Sequence, residues 1–137
     1  MEIMLKDIPV MFVESTNGPA GSREAFKKLE SRLESLKGRK FYATFQYSTG
    51  QYRACVAIES IDEPEALGLK AWSIPGGVYA QRKLIDWTDH ADEIPFIFDK
   101  LSQDYTGRND SSRPSIEFYK SQKELVCLLP IRQIRSD

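Results

Sequence analysis

The sequence predicts an α+β fold: a duplicated strand-helix-strand-strand unit forming an antiparallel sheet, with two helices on one face and a central cleft between the repeats. Three observations predict it. Strand-like runs, rich in β-branched and aromatic residues, recur in the same order in the two halves, over roughly residues 8–60 and 72–132. Each half holds one stretch of helical periodicity. Two short polar links, 48–51 and 120–123, each join neighbouring strand-like runs as a hairpin. No linker divides the 137 residues, a length that fits a single unit over 1–137.

In chain order, residues 8–13 read as the first strand. A helix follows over 22–36, with Ser22 as its N-cap and an apolar stripe of Phe26, Leu29, Leu33 and Leu36; Gly38 ends it. Residues 41–47 and 52–58 form the first hairpin. The second half repeats the scheme: a strand over 74–80, a helix over 92–105 and a hairpin of 115–119 with 124–129. The second stripe is Ile94, Ile97, Phe98, Leu101 and Tyr105, and Pro95 fits the first turn, where its missing donor costs nothing. Gly76-Gly77 opens a strand rather than a helix, so it reads as a bend or bulge and not as a phosphate loop.

Composition excludes several function classes. A formal net charge of -1 gives no basic field for nucleic acid, and the basic spots 37–40 and 132–135 are too short to supply one. No apolar run approaches membrane-spanning length, and the first residues do not read as a signal sequence, so a cytoplasmic location is expected. Cys55 and Cys127 lie in apolar strand-like runs without His or Cys neighbours, and read as reduced, buried thiols. His90, the sole histidine, sits among acidic residues near a helix start; its spacing fits no metal site, and it reads as solvated surface. No metal and no cofactor is expected.

The stretch carrying chemistry is 113–119, where Glu117 interrupts an apolar, aromatic strand. Alternation places Glu117 and Tyr119 on one face, Ile116 and Phe118 on the other. Two readings stand: a solvated edge carboxylate, or a carboxylate beside an aromatic ring, suited to an organic cation. Phe45 and Tyr47 read equally as cleft walls or core, and Trp72 fits either role. Tyr79 and Tyr119 suit ligand orientation or plain burial.

The segments 74–80, 116–119 and 124–131, with 41–58 in the first half, resemble the gyrase-inhibitor-like (GyrI-like) domain, also the effector-binding module of bacterial multidrug-responsive transcription regulators. The resemblance covers roughly residues 8–132. It implies two pseudo-symmetric units around a cleft in which a Glu among aromatics meets lipophilic cations. That Glu maps onto Glu117, and the Tyr of the Pro-Gly-Gly-x-Tyr segment maps onto Tyr79. The expected function is therefore binding of small lipophilic, cationic or aromatic compounds by Glu117, Tyr119, Tyr79, Phe45, Tyr47 and Trp72. A second reading is hydrolysis of strained electrophiles, with Glu117 as general base and Tyr79 or Tyr119 assisting. A third is a protein partner, such as a topoisomerase.

Overall fold

A computed structural model describes residues 1–134; Arg135, Ser136 and Asp137, and with them the end of the basic spot 132–135, lie outside the described residues. The chain is α+β. Eight strands form one antiparallel, curled sheet, and two main helices lie on one face. The strands are β1 (Glu2–Leu5), β2 (Ile8–Glu14), β3 (Phe41–Gln46), β4 (Gln51–Ala57), β5 (Lys70–Ile74), β6 (Gly77–Ile85), β7 (Ser115–Tyr119) and β8 (Glu124–Pro130). The helices are α1 (Ser22–Glu30), α2 (Glu63–Leu67) and α3 (Ile94–Asp104).

Their order across the sheet is β1-β6-β8-β7-β3-β4-β2-β5. The strand-helix-strand-strand scheme occurs twice, as β2-α1-β3-β4 and β6-α3-β7-β8. The two hairpins meet at the centre, where Phe41, Ala43 and Phe45 of β3 stand opposite Tyr119, Glu117 and Ser115 of β7. Two strands were not expected as separate elements. β1 is too short to show a period and forms by docking on β6; β5 ends where Pro75-Gly76 breaks the expected continuous strand, then pairs with β2.

Period-2 alternation sorts the core into two layers. Toward the helices point Met11, Ala54 and Val56, which receive Ala25 and Leu29 of α1, and Ala80, Leu125, Cys127 and Leu129, which receive Phe98 and Leu101 of α3. The reverse face carries Val10, Phe12, Tyr42, Cys55, Ile74, Tyr79, Ile116 and Leu128, all buried. Two helices on one face of an antiparallel sheet would by themselves leave that reverse face partly uncovered. Curling of the sheet wraps it around its own side chains and makes it core instead.

α1 ends at Glu30, six residues before the expected Leu36. The Ser31 hydroxyl donates to the Lys28 carbonyl, and Arg32 Nη1 reaches the Leu67 carbonyl of α2, drawing the chain off the helical path. Ser22 is not the N-cap; Gly21 holds that position, and Ser22 is the first helical residue. α3 matches its expected stripe, with Pro95 in its first turn.

The cysteines occupy matching strands but opposite faces. Cys127 points to the helices and Cys55 into the inner core, and both are fully buried. Burial pushes both thiols up to about 12, far from the reactive thiolate. A thiol reagent should therefore leave the native protein unlabelled and titrate both sulfurs once urea unfolds it. Rapid labelling without denaturant would show that β4 or β8 opens locally.

Candidate functional site

The two helices do not meet over the middle of the sheet. α1 packs chiefly on β4 and β2, and α3 on β8 and β6, which leaves the central pair β3 and β7 as the floor of a groove between them. Glu117 lies on that floor, opposite Ala43 on one side and Cys127 on the other. Its small neighbours give the carboxylate room.

Glu117 is partly buried and takes a hydrogen bond from the Tyr119 hydroxyl at 2.8 Å. Among the described residues it has no ion-pair partner. Burial raises its pKa above the ordinary carboxylate range, and the Tyr119 hydrogen bond opposes that only in part. Tyr119 is held as the neutral phenol, first by burial and then by the adjacent Glu117 charge. Its ring meets Phe26 of α1 edge-on at 5.5 Å and Trp87 at 5.2 Å. The Tyr52 hydroxyl neighbours Tyr119 and Ser22, and burial raises its pKa as well. Toward the other end of the floor, Phe45 and Tyr47 stack edge to face at 4.6 Å. Tyr47 is 63% exposed, so this ring stands at the mouth of the groove.

The groove thus collects one desolvated carboxylate, three aromatic residues at one end (Phe26, Trp87, Tyr119), two at the other (Phe45, Tyr47), and Tyr52 beside the acid. Such a site favours a ligand with positive charge and flat or branched apolar surface. A cavity of about 300 Å³ adjoins the Tyr47 end and is bounded by Tyr47, Phe98, Asp99, Ser115 and Leu129 among others.

Of the expected site residues, Glu117, Tyr119, Phe45 and Tyr47 come together. Tyr79 and Trp72 do not: both face the inner core. The Tyr79 hydroxyl donates to the Pro75 carbonyl at 2.6 Å, and the Arg113 guanidinium covers its ring at 4.7 Å. Trp72 packs edge-on against Phe12, and Arg53 sits over both rings, at 4.2 Å from the Phe12 centroid and 4.5 Å from that of Trp72. An internal cation already occupies those faces. His90 is exposed and bonds Glu93, as a surface residue would, and no metal-binding cluster occurs among the described residues.

Tyr52, Phe26 and the contact role of Trp87 were not among the residues the sequence pointed to. Tyr52 was within reach, because the hairpin turn at 48–51 sets Phe45 opposite Tyr52 on the same face. Phe26 and Trp87 come from elements distant in sequence, and no local pattern joins them.

Solved structures share this fold. An integron cassette protein from Vibrio cholerae superposes with a TM-score of 0.71 at 14% identity, over 96% of this chain and 95% of that one. A protein solved bound to tetraphenylphosphonium gives 0.64 at 11% identity, over 96% and 93%. A hydrolase from Listeria innocua gives 0.63 at 13%, over 96% and 90%. These likenesses establish a common fold. No family model and no curated protein matches the sequence. No helix among the described residues is long and apolar enough to cross a membrane.

Proposed function

We propose that this protein binds small lipophilic organic cations in the groove between α1 and α3, as a GyrI-like effector-binding domain does. The observation carrying this reading is Glu117: a carboxylate drawn out of water, among aromatic rings, with a phenol but, among the described residues, no cation beside it. A buried charge of that kind is costly, and its natural complement is a positive ligand that supplies the missing partner. The fold shared with a tetraphenylphosphonium-bound protein supports the same class. Phe26, Trp87 and Tyr119 would pack against the apolar body, with Phe45 and Tyr47 at the opposite rim.

Titration calorimetry with tetraphenylphosphonium and with neutral triphenylphosphine oxide tests the proposal. The cation should bind at least tenfold more tightly. Equal affinity for the two would reduce the site to an apolar groove and remove Glu117 from ligand selection.

The fold likeness to a hydrolase and the raised pKa of Glu117 favour a second reading, in which Glu117 takes a proton from water attacking a strained electrophile. Tyr79 is too far inside the inner core to assist, which leaves Tyr119. That reading requires water-addition products over multiple turnovers, lost in Glu117→Gln. Binding without product across a panel of epoxides and related strained electrophiles would leave the binder alone.

A further inference from the structure

We infer that the groove continues into the adjoining cavity as a second subsite, with Asp99 as its cation-directing group, so that the preferred ligands are aromatic dications. This rests on the cation-binding reading and extends it along one direction. Ser115 bounds the cavity and lies two residues before Glu117 on the same strand and face, so the two positions are roughly 7 Å apart along β7. Tyr47 bounds the cavity too, and its ring stacks on Phe45 of the groove floor. The cavity therefore opens off the groove and is not a separate hollow.

Its floor is apolar, formed by Phe98 and Leu129. Among the charged groups at its wall, Asp110 and Arg113 neutralise each other at 3.0 Å, and the remaining Arg113 donors go to the carbonyls of Gly76, Val78 and Ile131. Asp99 is different. It projects from the groove-facing flank of α3, shared with Ser102, and has no ion-pair partner among the described residues. The next ammonium along the helix, Lys100, is turned to Asp104 at 3.2 Å. Burial raises the Tyr47 pKa, and the charges of Asp99 and Glu117 both add to that, so its phenol lies near both acids. A flat body on the groove rings would thus set one positive charge against Glu117 and a second, on a short arm, against Asp99.

Ethidium and propidium make the test, because they share one aromatic body and propidium adds a quaternary ammonium on a three-carbon arm. Fluorescence titration should show propidium binding more tightly than ethidium. Asp99→Asn should weaken propidium by about three- to fivefold, the scale of a solvent-facing ion pair, and leave ethidium within about twofold. Glu117→Gln should weaken both. If Asp99→Asn changes the two dyes equally or changes neither, or if propidium binds no better than ethidium, the second subsite is wrong while the groove stands. If Glu117→Gln leaves ethidium unchanged, the cation-binding reading itself fails.

Discussion

Glu117→Gln is expected to weaken tetraphenylphosphonium binding by roughly 10- to 100-fold, the worth of one charge-assisted contact in a desolvated site. The amide keeps the shape of the side chain and can still accept the Tyr119 hydrogen bond, so a neutral aromatic ligand should lose no more than about twofold. The pH dependence follows from the direction of the shift. Burial raises the Glu117 pKa, and only the carboxylate attracts a cation, so wild-type affinity should climb as pH rises through that raised pKa and then level off. The Gln variant should be flat over the same range. Stability carries the opposite sign. A group whose folded pKa lies above its unfolded value contributes stability at acid pH and loses it as pH rises through the folded pKa. Above that raised pKa the ionised Glu117 is therefore a cost, and there the Gln variant should melt higher than wild type, with the gap closing as pH falls toward the ordinary Glu value of about 4.3. A lower melting temperature above the raised pKa would mean that the carboxylate holds the fold together, and a structural role would replace the ligand role.

That site was legible in the sequence to the extent that local alternation governs it. Glu117 stands out because an acid interrupts an aromatic strand, and its sharing of a face with Tyr119 follows from the period of two alone. Tyr79 was assigned to the cleft by the resemblance and not by alternation. Its face depends on the pairing of β6 with β8, which sets Tyr79 against Pro130, two positions along from Gln81 against Leu128. That register puts it in the inner core with Ile116, and nothing between residues 74 and 80 encodes it. Helix stripes were legible for α3, whose buried Phe98 and Leu101 fall on the expected face, but the early end of α1 depends on contacts of Ser31 and Arg32. The curl of the sheet, which turned an expected open face into core, comes from long-range strand pairing and left no local trace. Asp99 was invisible for a related reason: an acid on a helix flank looks like any solvated residue until a cavity is found beside it.

Gly76 is where that long-range closure is most exposed to mutation, and Gly76→Ala is expected to destabilise the protein by about 3 kcal/mol, the upper end for overpacking. The segment Leu5-Lys6-Asp7-Ile8 runs antiparallel to Ile74-Pro75-Gly76-Gly77, with Leu5 paired to Gly77 and Ile8 to Ile74. β1 and β2 thereby cross from one half of the sheet to the other exactly where β5 and β6 cross back. Backbone lies on backbone at that point. A methyl group on Gly76 would stand 2.5 Å from the Leu5 carbonyl oxygen, 2.7 Å from the Lys6 carbonyl carbon and 2.8 Å from the Asp7 nitrogen. None of these atoms belongs to a flexible side chain that could swing away. Relief requires separating the two crossing segments, which would strain the Gly76 N–H bond to the Asp7 carboxylate at 2.7 Å and the adjacent Tyr79 bond to Pro75. For a chain of this length each kcal/mol moves the melting temperature by roughly 3–4 °C, so a fall of about 10 °C is expected by calorimetry. The Glu117 groove lies on the other face of the sheet. In the fraction still folded at low temperature, tetraphenylphosphonium should therefore bind within about threefold of wild type. A melting temperature unchanged by Gly76→Ala would show that the two crossings are looser than this packing implies. A loss of ligand affinity in well-folded variant would show that the crossing and the groove are mechanically linked.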